Sequence, residues 1–137
     1  MLTAIIIDDE ASSRNSLRQK LTHYCPAIQI IGECENGEEG IKSIEEKKPD
    51  IIFLDVEMPR MNGFTMLKQL ANKNFEVIFI TAFEHYAIKA IKVSALDYLV
   101  KPVEIEDLKN AVEKATQKRK LSSGNERLEL LLQNLMT

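Results

Sequence analysis

The feature that most constrains the fold of this chain is a series of short, uninterrupted apolar runs rich in β-branched residues. A strand buried on both faces needs continuous apolar sequence, whereas a strand with one solvated face alternates apolar and polar residues. Four runs are clear and a weaker fifth fits an edge strand; in order they span residues 4–7, 28–31, 51–54, 77–80 and 96–100. The runs therefore predict a parallel sheet with helices on both faces.

Helical stretches separate these runs, and their apolar residues recur at helical spacing. The fullest stripe comprises Leu108, Ala111, Val112 and Ala115. Shorter stripes are formed by Leu17, Leu21 and Tyr24, by Ile41 and Ile44, and by Ala87, Ile88 and Ile91. Strands that alternate with helices indicate an α/β domain with right-handed crossovers. We predict a flavodoxin-like (βα)5 fold, a doubly wound five-stranded parallel sheet in the order 2-1-3-4-5.

The chain divides into one domain and a short tail. Its 137 residues suffice for one core, which we assign to residues 1–120. Residues 121–125 read as a linker, and a leucine-rich amphipathic helix is predicted to start near Asn125. Its stripe is expected to dock on the domain, on a partner chain or on a following domain; it consists of Leu128, Leu131, Leu132 and Leu135.

Charge and composition exclude several classes of protein. The net charge of −3 and the absence of a basic patch give no general attraction to nucleic acid or anionic lipid, so any DNA binding has to come from another domain. Neither a signal peptide nor a membrane span is visible. Cys25 and Cys34 do not form a CxxC pair, which favours reduced thiols in a cytoplasmic protein.

Carboxylates follow two of the predicted strands. Asp8 and Asp9 close the first run, and Asp55 closes the third. In an open parallel sheet, ligands bind outside the carboxyl ends of the strands where the strand order reverses, so the order 2-1-3-4-5 brings all three into one pocket. At an effective dielectric constant of about 20, two like charges about 4 Å apart repel by roughly 4 kcal/mol. A cation is therefore expected among them, and all-oxygen ligands suit Mg²⁺.

The fourth and fifth strands end in residues that suit phosphate chemistry. Thr81 supplies a hydroxyl, and Lys101 supplies a positive charge. Together with the acids and a metal ion they could bind a transferring phosphoryl group. Each residue alone has a structural alternative: Asp8 and Asp9 could cap the first helix, and Asp55 could be a turn aspartate. Their joint occurrence at four strand ends favours the chemical interpretation.

These motifs resemble the receiver domain of bacterial two-component response regulators over about residues 2–120. The resemblance rests on Asp8-Asp9-Glu10, Leu54-Asp55-Val56-Glu57-Met58-Pro59 with Asn62-Gly63, Thr81-Ala82, and Asp97-Tyr98-Leu99-Val100-Lys101-Pro102. A narrower likeness, carried by residues 81–87 and 94–99, is to the LytR/AlgR class. Its receivers usually precede a LytTR-type DNA-binding domain.

The resemblance implies a signalling switch rather than an enzyme. Asp55 would accept a phosphoryl group from a sensor histidine kinase, with Mg²⁺ held by Asp8, Asp9, Asp55 and the backbone carbonyl of Glu57. The phosphoryl-binding and switch residues would be Thr81, Ala82, Lys101 and Tyr98, and the Lys101–Pro102 bond would be cis. It further implies control of DNA binding through a C-terminal domain, with a phosphorylation-dependent homodimer.

Two other functions compete with this interpretation. A haloacid dehalogenase-type phosphohydrolase also uses an aspartate, Mg²⁺, a threonine and a lysine, but its nucleophile follows the first strand in a D-x-D motif. Here the acidic pair comes first, and the later segment reads Asp55-Val56-Glu57. A degenerate receiver that only binds partners is disfavoured because all five key side chains are present.

Overall fold

A computed structural model describes residues 1–136 of the protein; within the last helix, the side chains of residues 122–127, 129, 130 and 136 are outside the description. Strands and helices alternate along the described chain. In order they are β1 (Leu2–Ile7), α1 (Ala11–Tyr24), β2 (Ile28–Cys34), α2 (Gly37–Lys47), β3 (Ile51–Leu54), α3 (Gly63–Lys68), β4 (Glu76–Thr81), α4 (Ala87–Lys92), β5 (Asp97–Val100) and α5 (Ile105–Met136). A 3₁₀ turn, Glu84–Tyr86, precedes α4.

The strands form one parallel sheet in the order β2-β1-β3-β4-β5, which confirms the predicted topology. The register aligns the strand ends. Ile7 at the end of β1 pairs with Leu54 at the end of β3, and Thr81 at the end of β4 pairs with Val100 at the end of β5. The residues that follow these strands therefore meet at one edge of the sheet, on both sides of the point where the order reverses.

Alternate residues of the inner strands enter two separate cores. On β1, Ala4 and Ile6 belong to one cluster with α1 and α5, while Ile5 and Ile7 belong to the other with α2, α3 and α4. All four are 0–1% exposed. This explains why the sequence of the run is continuously apolar, since successive side chains point to opposite faces and helices cover both.

Of the predicted helical stripes, the one on α1 is only partly right and the one on α4 is wrong. The stripe from Leu108 to Ala115 is fully buried, as expected. Tyr24, however, is 47% exposed, because α1 ends at this residue and Cys25 in the following turn takes the buried position. On α4, Ile88 and Ile91 are 71% and 75% exposed.

The core-facing stripe of α4 begins in the 3₁₀ turn instead. Tyr86, Ala90 and Val93 are spaced i, i+4, i+7 and pack on the cluster around α3. The 3₁₀ turn leads directly into α4, and its tighter winding of about 3.0 residues per turn changes the phase of the residues that follow. Since α4 is only six residues long, the contact of Tyr86 with the core fixes which face of α4 reaches the sheet.

The predicted start of a separate helix near Asn125 is wrong, because α5 runs from Ile105 through the predicted linker at residues 121–125 to Met136. A single glycine such as Gly124 costs a helix only about 1 kcal/mol relative to alanine, and the segment contains no proline. The leucines of the predicted stripe are 49–77% exposed, so they do not pack on the domain. Although α5 is long, none of the described helices combines the length and apolar character that crossing a membrane requires.

Candidate functional site

The site lies at the carboxyl edge of β1, β3, β4 and β5, and backbone hydrogen bonds fix the residues that leave the strands. The amide of Asp8 donates to the carbonyl of Cys34 at 3.0 Å, and that of Asp55 donates to the carbonyl of Ile7 at 3.0 Å. On the other side, the amide of Lys101 donates to the carbonyl of Thr81 at 2.8 Å. Ladder pairing thus extends one residue beyond the strands and holds the candidate site residues in place.

Three carboxylates meet at this edge, as the sequence predicts. Asp8, Asp9 and Asp55 each offer an oxygen, and these oxygens lie within 4.8 Å of one another. Asp8 and Asp55 are 5% and 6% exposed, whereas Asp9 is exposed to solvent. Oxygen ligands at this spacing on a partly open edge fit a hard cation such as Mg²⁺, which keeps several waters in its coordination sphere.

Lys101 partly offsets the repulsion among the carboxylates. Its Nζ lies 2.8 Å from Oδ2 of Asp8 and 3.3 Å from Oδ2 of Asp55, and it also donates to Oγ of Ser13 at 3.1 Å. Ser13, in the first turn of α1, was not predicted from the sequence. The only signal was that the first helix must start at this edge. The Lys101–Pro102 bond is cis, as expected.

The electrostatics of the pocket favour a proton or cation near Asp55. Burial raises the pKa of Asp55, against the lowering effect of Lys101, and the neighbouring Asp8 raises it further. For Lys101, burial alone would lower the pKa, but the hydrogen bond to Asp8 and the charge of Asp55 outweigh it and raise the pKa overall. The lysine therefore stays charged beside Asp55.

Two buried oxygens of the pocket have no hydrogen-bond partner among the described residues: Oδ1 of Asp55 and Oγ1 of Thr81. Thr81 is 0% exposed. Because buried polar atoms in folded proteins are nearly always paired, such atoms in a pocket indicate capacity for a ligand. A metal ion on Asp55 and a phosphoryl oxygen on Thr81 would satisfy both.

The start of α3 packs closely on the backbone of Asp55. Gly63 begins α3, its amide donates to the carbonyl of Val56 at 2.8 Å, and Asn62 caps the helix by accepting from the amide of Thr65 at 2.9 Å. A Cβ atom at Gly63 would lie 2.6 Å from the backbone carbonyl oxygen of Asp55. Glycine is therefore required sterically at this position.

Two further predicted residues lie on the neighbouring part of the sheet: Tyr98 in β5 and Ala82 directly after β4. Tyr98 is half-buried, its ring centroid is 6.0 Å from that of Phe79, and its hydroxyl donates to the carbonyl of Phe83. Ala82 is exposed directly after Thr81.

Glu57 is exposed, and its carboxylate is not part of the acidic cluster. Its Oε1 instead accepts a hydrogen bond of 2.8 Å from the hydroxyl of Tyr86, and this bond raises the pKa of Tyr86. Nothing in the local sequence predicts this pair, whose members are 29 residues apart.

Sequence comparison relates the chain to one family. Residues 4–113 match the family model of the response regulator receiver domain. An uncharacterised response regulatory protein of Vibrio cholerae is 40% identical over 123 residues, which make up 89% of this chain and 52% of that protein. The transcriptional regulatory protein BtsR of Escherichia coli K12 is 39% identical over 120 residues, 87% of this chain and 50% of BtsR. The chain spans about half the length of these curated relatives.

Solved structures share the fold along nearly their whole length. The REC domain of AraT, a response regulator from Geobacillus stearothermophilus, superposes with a TM-score of 0.79 at 30% identity, covering 89% of this chain and 98% of that one. The response regulatory domain of mrkE from Klebsiella pneumoniae has a TM-score of 0.78 at 28% identity, covering 88% and 99%.

Proposed function

The chain belongs to the response regulator receiver domain family, and on that premise we propose that Asp55 accepts a phosphoryl group from a sensor histidine kinase. The observation that carries the proposal is the buried, unpaired Oδ1 of Asp55 beside the ammonium group of Lys101. A nucleophile needs a free oxygen, and the transferring group needs positive charge to balance it. Both requirements are met at one residue.

The reaction is an in-line displacement at phosphorus. An oxygen of Asp55 forms the new O–P bond while the bond from phosphorus to the leaving group breaks; the leaving group is the phosphohistidine nitrogen of the kinase or the acetate oxygen of acetyl phosphate. Lys101 and the hydroxyl of Thr81 hold the phosphoryl oxygens as charge develops on them. Ala82 follows Thr81 with a side chain small enough to leave this position accessible.

Mg²⁺ is the proposed cofactor, because the cluster consists of oxygen ligands on an open edge. Asp8, Asp9, Asp55 and the backbone carbonyl of Glu57 would hold it, and when bound it neutralises the charge that accumulates on the phosphoryl oxygens. The haloacid dehalogenase alternative receives no support, since the family match covers residues 4–113. Members of the receiver family are signalling switches rather than enzymes with turnover as their function.

Phosphorylation at Asp55 is tested by incubating the protein with acetyl phosphate and Mg²⁺. The intact mass should rise by one phosphoryl group that is labile to hydroxylamine, as an acyl phosphate is. Asp55→Asn should abolish the label, while Asp97→Asn, at the start of β5, should retain it. Labelling that persists in Asp55→Asn would refute the assignment.

The metal site is tested by comparing Asp8→Asn with Asp9→Asn. Both should weaken Mg²⁺ binding in a calorimetric titration. Asp8→Asn should also lower the free energy of unfolding by about 1–3 kcal/mol, because Asp8 accepts from Lys101 and from the amide of Glu10 at 2.9 Å. Asp9 is exposed, so Asp9→Asn should leave metal-free stability unchanged or slightly higher. A marked loss of stability in Asp9→Asn would indicate a structural role instead.

We further propose that the chain is the regulatory half of a LytTR-class transcription regulator. The support is that BtsR, a transcriptional regulatory protein, matches over half of its length. DNA binding would then reside in a C-terminal domain, and phosphorylation would promote it through a homodimer. The net charge of −3 predicts that residues 1–137 alone do not shift DNA in a mobility assay at physiological salt. Two free buried thiols, Cys25 and Cys34, fit a cytoplasmic location.

A further inference from the structure

The hydrogen bond between Tyr86 and Glu57 connects the two loops that flank the proposed phosphorylation site. Glu57 lies two residues after Asp55, in the loop that leads to α3. Tyr86 ends the 3₁₀ turn that follows Thr81 and β4. The bond of 2.8 Å thus joins the loop that carries the nucleophile to the segment that carries the proposed phosphoryl-binding hydroxyl.

Tyr86 is a firmly held donor rather than a free surface side chain. Its ring centroid lies 6.0 Å from that of Phe64 and 4.1 Å from that of His85. Phe64 is 1% exposed and packs on Phe79 of β4 at 4.9 Å. Because the ring is already packed on the core, the hydroxyl is directed at Glu57 at little further cost in side-chain entropy.

Glu57 is the acidic side chain that accepts this hydrogen bond from Tyr86. Asp8, Asp9 and Asp55 form the acidic cluster, and the carboxylate of Glu57 is directed to Tyr86 outside it. A carboxylate oxygen is a ligand that Mg²⁺ accepts readily. Released from Tyr86, Glu57 could therefore supply a fourth carboxylate to the metal and occupy a position that a phosphoryl oxygen of the donor must take.

We propose that Tyr86 is a positioning residue that keeps the carboxylate of Glu57 away from the metal. The position beside the metal then stays open to the phosphodonor. This inference rests on the proposed function of Asp55. It assigns to Tyr86 two opposite effects, since the same released carboxylate would strengthen metal binding and hinder phosphoryl transfer. A general loosening of the pocket would instead weaken metal binding and slow transfer together.

Tyr86→Phe is the decisive variant, because it removes the hydroxyl and keeps the ring that packs on Phe64. In the full chain, the Mg²⁺ affinity measured by calorimetry should rise about two- to fivefold, as expected for one partly solvated charge. At saturating Mg²⁺, the initial rate of labelling by acetyl phosphate should fall by a similar factor. Tyr24→Phe, at the exposed end of α1, is the matched control and should change neither quantity.

The same substitution made in a second variant, Glu57→Gln, distinguishes a positioning role of Tyr86 from a purely structural one. Glu57→Gln keeps an acceptor for Tyr86 but removes the charge, so adding Tyr86→Phe to it should alter neither metal affinity nor labelling rate. The proposal is overturned if Tyr86→Phe changes neither quantity, weakens Mg²⁺ binding, speeds labelling, or has the same effect in both backgrounds. If the unsubstituted chain is not labelled, the function of Asp55 fails, while the Mg²⁺ affinities still test the role of Tyr86.

Discussion

At the scale of single residues, the site contains a buried carboxylate, that of Asp55, whose negative charge destabilises the fold. Asp55 is 6% exposed, and its pKa is raised by burial and by the charge of Asp8. The folded chain therefore binds this proton up to a higher pH than the unfolded chain does. As the pH rises from the ordinary aspartate pKa to the raised value, the fold therefore loses stability, and it stays less stable at every higher pH because the carboxylate is then ionised in both states.

Removing that charge should therefore stabilise the metal-free protein. We expect Asp55→Asn to raise the free energy of unfolding by about 1 kcal/mol at pH 7, or the midpoint temperature by a few degrees. Lys101 retains Asp8 as a partner in this variant. The gain should shrink as the pH falls toward about 4, where the unfolded chain also protonates this aspartate. The difference in free energy of unfolding between the variant and the unsubstituted chain is measured by urea unfolding between pH 4 and 7 with a chelator present. A difference that does not change with pH would contradict this electrostatic account.

At the scale of elements, the pocket depends on the close approach of the α3 N-terminus to the end of β3. Asn62 caps α3, and Gly63 is the first helical residue. Within a helix, alanine is ordinarily preferred over glycine by about 1 kcal/mol. At Gly63 this preference is outweighed, since the added Cβ would lie 2.6 Å from a backbone oxygen that no side-chain rotation can move.

Gly63→Ala should consequently destabilise the protein despite its higher helix propensity. We expect a loss of about 1–3 kcal/mol, as in other overpacked sites, together with slower labelling at Asp55 because its backbone has to shift. Gly124→Ala, within α5, is the matched control and should be neutral or stabilising by up to about 1 kcal/mol. If the two variants are equally stable in urea unfolding, the contact between the start of α3 and the backbone of Asp55 is looser than the distance of 2.6 Å implies.

At the scale of the whole molecule, the site is connected to a distant surface through β4, α4 and β5. Thr81 ends β4, Tyr98 of β5 donates to the carbonyl of Phe83, and α4 presents Ile88 and Ile91 to solvent. A phosphoryl group on Asp55 adds charge that can draw the hydroxyl of Thr81 toward it. Movement there would free space for the ring of Tyr98 and alter the exposed face of α4.

A stable phosphoryl mimic should therefore perturb residues far from Asp55. With fluoroberyllate and Mg²⁺, we expect amide resonances to shift across residues 82–110, and not only beside Asp8 and Asp55. Two-dimensional NMR of the labelled chain measures this, and Asp55→Asn under the same conditions is the control. Shifts confined to the pocket would exclude this route of switching.

The pattern of apolar runs determined the sheet and much of the site. Strands buried on both faces must be continuously apolar, and parallel strands end at one edge. Asp8, Asp9, Asp55 and Lys101 could therefore be placed together before any coordinates. Such an inference needs only the spacing of apolar residues and the order of the strands along the chain, and both can be read from the sequence.

Contacts between distant side chains were decided by the tertiary structure alone. Ser13 reaches Lys101 across 88 residues, and Tyr86 reaches Glu57 across 29. On α4 two apolar stripes compete, and the packing of Tyr86 on Phe64 selects the one that includes Ala90. Helical spacing states which residues share a face, but only the neighbouring elements determine which face is buried. The continuity of α5 through Gly124 has a similar cause, because a penalty of about 1 kcal/mol is too small to mark a boundary.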